Sequence, residues 1–210
     1  MDALTRTAKV GEGMVLVLRG RCLLLPDDVT VDQVAQLAER SGGRKILEQR
    51  GEPEFGLVHE VTWELRPGLN IHYGRERPSG AAYVMASAAD RQEEEELTGL
   101  LREYFNTVDD EEVLAAVDRA ATPEQLKVAL VRAGIAAPLD ADQEYAARIR
   151  AALQASDAER REAGIWAATY ASWEELDPHL AEIAANDPLP LLRRQAQGLL
   201  DYWQREAPPR

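Results

Sequence analysis

Glu60, Thr62, Glu64 and His72 are the residues whose types and spacing come closest to acid and base chemistry. From Val58 to Arg66 the apolar side chains Val61, Trp63 and Leu65 alternate with Glu60, Thr62, Glu64 and Arg66, which predicts a strand with one face on a core. After Pro67-Gly68 the apolar positions are Leu69, Ile71 and Tyr73. A two-residue loop would set Trp63 opposite His72 and mix the faces. A three-residue loop, Arg66 to Gly68 with Gly68 at positive φ, sets Leu65 opposite Leu69, Trp63 opposite Ile71 and Val61 opposite Tyr73. In that register His72 stands across from Thr62 with Glu60 and Glu64 on its diagonals, and an imidazole beside a carboxylate can move a proton near neutral pH. The competing expectation is a polar sheet face that is simply solvated. No spacing of nitrogen and sulfur ligands accompanies these residues, so no metal site is expected.

The other chemical candidates have structural readings beside them. Cys22 is the only cysteine and precedes Leu23-Leu24-Leu25, which predicts a small buried hydrophobe with a raised thiol pKa and excludes an intramolecular disulfide. Glu93 to Glu96 sit in the first turn of a helix opened by Asp90, where negative charge complements unpaired N–H groups. The pairs Arg160-Arg161 and Arg193-Arg194 can offer cations to a partner through Arg161 and Arg194, or bond an aspartate of a neighbouring turn. Among the aromatics, Trp166 and Trp203 are expected inside, whereas Tyr170, Trp173 and Tyr202 lie at helix ends where a ring can serve a partner.

Two kinds of element must position these residues. Before about residue 88 the chain reads as short strands punctuated by Pro and Gly. Met14 to Leu18 and Cys22 to Leu25 form a strand pair or one bulged strand, Thr30 caps a helix carrying Val31, Val34 and Leu37, Gly42-Gly43 ends it, and Ala81 to Ala86 is a further strand. After residue 90 helical periodicity takes over. Asp90/Glu93, Asp109/Glu112, Thr122/Gln125, Ser156/Glu159 and Ser172/Glu175 have capping-box spacing. Stripes such as Leu97, Leu100, Leu101, Tyr104 and Phe105, or Leu192, Ala196, Leu199, Leu200 and Trp203, recur at three or four residues. The expected fold class is α+β: a small antiparallel sheet with a helix over residues 1–88, then a helical domain over 89–210, the boundary falling at Ser87 to Asp90.

Composition bounds the function. At 210 residues and 45% apolar content the chain can bury a sizeable core. Its net charge of −13 opposes binding to nucleic acid or an anionic membrane. The acid is uneven: residues 1–90 carry 11 basic and 13 acidic side chains, and residues 91–210 carry 13 and 24. Neither a secretory leader nor a membrane span is expected, and the expected location is cytoplasmic. Glycine-rich phosphate loops, nucleophile elbows and zinc spacings do not occur in the sequence, so no cofactor is expected.

Ile149, Leu153, Asp157, Arg160, Ala163, Trp166 and Tyr170 line up with Leu180, Ile183, Asp187, Arg193, Ala196, Leu199 and Trp203. On Ser156-Asp157, Arg160-Arg161 and Ala163, with Asn186-Asp187-Pro188, Arg193-Arg194 and Ala196, the chain from about residue 143 to 205 resembles HEAT-type helical repeats. The resemblance implies an α-solenoid of stacked helix pairs whose inner helices present a concave surface that binds a protein. Together these readings lead to the expectation of a non-catalytic protein-binding module, an adaptor, regulator or immunity-type protein, whose acidic helical surface takes a partner with a basic surface. The alternative is an enzyme or enzyme subunit with a pocket between the two halves that uses His72 with Glu60 or Glu64.

Overall fold

The computed structural model describes residues 5–10, 13–51, 57–77 and 79–206. They form an antiparallel sheet and eight α-helices, an α+β chain whose two compact units meet in sequence at Val108/Asp109. No helix among the described residues is long and apolar enough to cross a membrane.

In the first unit the strands are β1 (Thr5–Val10), β2 (Gly13–Arg19), β3 (Leu23–Leu24), β4 (Arg44–Gln49), β5 (Leu57–Arg66), β6 (Leu69–Glu76) and β7 (Ala82–Ala88). Their order is β1-β2-β7-β6-β5-β4, with β3 also on β7. Of the two expectations for Met14 to Leu25 the bulged strand holds: β2 and β3 both pair with β7, Arg19 opposite Ser87 and Leu23 opposite Val84, and the Gly20 amide bonds the Ala86 carbonyl between them.

Parity at the β5–β6 hairpin sets the register as expected. Val61 faces Tyr73, Thr62 faces His72 and Trp63 faces Ile71. The turn itself differs. Arg66, not Leu65, stands opposite Leu69, Gly68 takes φ of 80°, and the odd residue is absorbed as a bulge between Glu64 and Arg66. A two-residue connection is thereby reconciled with one continuous apolar face.

That face is the core. Val61, Trp63, Ile71, Tyr73, Val84 and Ala86 pack against Val34, Leu37 and Ala38 of α1 (Val31–Arg40) and against Leu97, Leu101 and Phe105 of α2 (Arg91–Phe105). The charge change near residue 90 suggests a boundary there, but the compact units part at Val108/Asp109. The reason is burial. α2 starts at the Asp90 cap, whose carboxylate accepts from the Gln92 and Glu93 amides, and then covers the sheet with its apolar stripe. Leu100 and Tyr104, expected in that stripe, are left outside.

The second unit runs through α3 (Asp110–Arg119), α4 (Pro123–Ala136), α5 (Gln143–Leu153), α6 (Ala158–Ala171), α7 (Asp177–Asn186) and α8 (Pro190–Glu206). Each odd-numbered helix packs on its successor, and α4, α6 and α8 also pack in sequence. Close approach comes from small residues. A methyl group added to Gly134 would stand 2.7 Å from the Ala167 Cα, and one on Gly164 would stand 2.8 Å from the Leu153 amide nitrogen, so α4/α6 and α5/α6 touch nearly backbone to backbone. Asp109 and Thr122 cap their helices as expected. Ser156 and Ser172 do not: Asp157 caps α6 by accepting from the Arg160 amide, and Ser172 ends α6 in the left-handed region at φ of 52°. α7 then starts at Asp177, after a 3₁₀ turn over Glu174–Leu176.

Candidate functional site

On the sheet face opposite the core, β5, β6 and β7 lay Thr62, His72 and Met85 in one row and Glu64, Asn70 and Ser87 in the next. Thr62, Asn70 and Ser87 are buried, so this face is not the solvated surface that alternation predicts. His72 sits between two hydroxyls, Nδ1 3.0 Å from Thr62 Oγ1 and Nε2 2.8 Å from Ser87 Oγ, and Asn70 Nδ2 donates to Ser87 Oγ at 3.1 Å. A neutral imidazole needs one donor and one acceptor, and hydroxyls can supply either.

The carboxylates expected beside His72 are engaged elsewhere. Glu60 accepts from Gln49 at 2.6 Å and Glu64 from Arg44 at 3.0 Å, both on the neighbouring strand β4. Burial, helped by the Arg19 charge, pushes the His72 pKa down to about 3. Ser87, His72 and Thr62 have the connectivity of a nucleophile, a base and an orienting group. The imidazole is nevertheless too weak a base at neutral pH to take a proton from Ser87, and the Ser87 hydroxyl lies in the interior. Cys22, across β7, touches Met85 sulfur to sulfur at 4.0 Å, and burial raises its thiol pKa to about 11, so it rests as the inert thiol its apolar neighbours suggest. No group of three or more metal-ligating side chains gathers among the described residues. Ser87 and Asn70 are the members that sequence reasoning misses. Ser87 shares the parity of Tyr83 and Met85, which is the available signal.

The helical unit places its candidates differently. Arg161 on α6 reaches forward to Asp187 in the turn between α7 and α8, Nε to Oδ2 at 2.6 Å and Nη2 to Oδ1 at 3.3 Å, and its Nη1 donates to the Ala155 and Ser156 carbonyls. Asp187 is buried, and the Arg161 guanidinium holds its carboxyl below the usual range. Arg193 on α8 donates Nη1 to the Asp187 and Pro188 carbonyls, the same fifth and sixth residues back. By these contacts Arg161, rather than Arg160, is the counterpart of Arg193. Arg161 is spent on this joint. Trp173, expected at a surface, is 4% exposed and donates Nε1 to the Pro138 carbonyl at 3.1 Å, because the left-handed Ser172 turns the chain back toward the end of α4. Tyr170 and Trp166 are half-buried.

Arg194 and Tyr202 remain outside on α8, as do Leu191 and, just before the helix, Leu189. No family model, no curated protein and no solved structure matches this chain. Its functional reading rests on its own residues. Residues 109–210 carry 11 basic and 19 acidic side chains, a net of −8, and residues 1–108 carry 13 and 18, a net of −5. The acid expected to concentrate in the helical half is shared, since Glu93 to Glu96 and Glu103 belong to α2.

Proposed function

We propose that this protein is a non-catalytic protein-binding module in which the helix pairs α3/α4, α5/α6 and α7/α8 form a HEAT-like array that holds a partner with a basic surface. The observation that carries the reading is the outer side of α8. Leu192, Ala196, Leu199 and Trp203 turn inward while Leu191, Gly198 and Tyr202 stand exposed along a separate stripe, where α6 in the same layer has α8 packed against it. The repeated carbonyl clamp of Arg161 and Arg193 supports the repeat reading, because two joints built alike are what stacked units require. The acid excess favours a basic partner, and it argues against nucleic acid or an anionic membrane.

The enzyme reading built on His72 has less behind it: a neutral imidazole between two hydroxyls has neither the basicity nor the carboxylate the reaction needs. Affinity capture with the full chain, at low salt from lysate of the source cells, tests the proposal. A stoichiometric protein retained by the wild type and lost with Leu191→Asp/Tyr202→Ala is expected. Failure to retain any protein, or equal retention by the variant, would overturn it.

A further inference from the structure

The first unit carries an exposed face of its own on α2. The helix buries Glu94, Leu97, Leu101 and Phe105, and the flank of that face leaves Leu100 at 49% and Tyr104 at 51% exposure, four residues apart and therefore adjacent. Glu96, Leu100 and Glu103 follow one another at four and three residues, so an acid stands on either side of the leucine along a single stripe.

Helix stabilisation does not account for these acids. Glu96 lies past the first turn, and Glu103 lies in the last, where negative charge opposes the helix dipole. Among the described residues Glu95 and Glu103 have no basic partner, and Glu96 receives only the Gln92 amide at 2.9 Å. Of the nearby cations Arg66 pairs with Glu93 and Arg91 with the buried Glu94, and the exposed Arg102 stands on the side of α2 away from Leu100 and Tyr104. The apolar part is also prepared for contact. Tyr104 meets the buried Phe105 edge to face, with ring centroids 4.9 Å apart and planes at 79°, so its exposed ring is already held, which lowers the entropy lost when a partner covers it. Between Glu96 and Glu103 Gly99 is bare, with no atom within 4 Å of where a side-chain methyl would stand, and a second backbone can approach closely there.

We propose that this face of α2 docks a basic amphipathic helix from a protein partner, its apolar residues seated on Leu100 and Tyr104 and its lysines or arginines facing Glu96 and Glu103. The recognition is that of a helix read at three- and four-residue spacing. It is a second surface, independent of α8 and of the repeat reading.

The test uses the full chain and a fluorescent peptide of leucine and lysine, about 18 residues long, with leucines at helical spacing. Its controls are a scrambled peptide of equal composition and a leucine–glutamate counterpart, followed by anisotropy at about 150 mM salt. Binding of the helical lysine peptide is expected to weaken about tenfold or more in Leu100→Ala/Tyr104→Ala and in Glu96→Lys/Glu103→Lys. Both variants should stay folded, with melting temperatures within about 4 °C of the wild type, since Leu100 and Tyr104 are about half exposed and Glu96 and Glu103 lie on the surface. Leu191→Asp/Tyr202→Ala should leave this binding unchanged, which separates the proposal from that for α8. Equal binding of the scrambled peptide would reduce the effect to bulk charge and overturn the proposal, as would unchanged binding by the α2 variants.

Discussion

The hydroxyl cluster of β5–β7 and the joint of α6 with the α7–α8 turn bury polar groups by opposite means, while the first unit also buries Glu76 and Glu94. In the sheet unit, period-two alternation delivers a whole row of polar side chains to one face, and once that face is covered Thr62, His72, Ser87 and Asn70 bond one another, with Asn70 Oδ1 left unpartnered among the described residues. In the helical unit the interior of α6 is nearly free of polar side chains, lined by Ala163, Gly164, Ala167, Ala168 and Ala171, and the buried charge is confined to the joint where Arg161 meets Asp187. The sheet tolerates a distributed neutral network because each strand residue has fixed neighbours on both sides. The helices approach too closely for one, so their polar group sits where one pair meets the next.

This contrast can be broken at several points. The largest effect is expected at the joint: Asp187→Ala strands the Arg161 guanidinium and should cost about 3 kcal/mol or more in urea unfolding. The wild type should lose part of its stability as pH falls through the lowered Asp187 pKa, since a depressed carboxyl stabilises only while ionised. Next is the helix crossing. Gly134→Ala forces a methyl group into the Ala167 backbone and should cost about 2 kcal/mol, read as a lower urea midpoint at unchanged slope.

The sheet network should respond to pH in a characteristic way. His72 is neutral in the fold with a pKa of about 3, whereas in the unfolded chain it takes a proton below about 6.5. Its contribution is therefore complete above about pH 6.5 and declines as pH falls toward about 3, by at most about 1.4 kcal/mol per pH unit. Replacing His72 with Gln should flatten that part of the stability profile. The smallest effect has the opposite sign: Gly198→Ala on α8 meets no atom within 4 Å and should stabilise by about 0.5–1 kcal/mol in thermal unfolding. A destabilised Gly198→Ala beside an unaffected Gly134→Ala would reverse which helix faces are packed and which are open.

Much of the fold is legible in the sequence because it rests on local geometry. The parity of Val61, Trp63, Ile71 and Tyr73 fixes the hairpin register, Thr30 and Gly42 bound α1, and Asp109 and Thr122 mark their helix starts. The candidate residues are less legible. Cys22 reads correctly from its apolar neighbours, but the wetness of the His72 face does not, since Thr, Ser and Asn serve equally on a solvated face or in a buried network. Ser87 reads as the start of a linker, although β7 runs through it to Ala88 between β2 and β6. Trp173 reads as a surface ring because the Pro138 carbonyl that receives its indole lies 35 residues away in sequence.

From the amino-acid order alone come the element types, their approximate ends, the sheet register and the acidic balance, all of which depend on period, capping chemistry and composition over a few residues. Which surface α2 covers, whether His72 meets water or hydroxyls, and whether an arginine serves a joint or a partner are decided only in three dimensions. Those outcomes depend on desolvation and on partners brought from distant parts of the chain, and a local pattern is the same whether its polar side faces water or another strand.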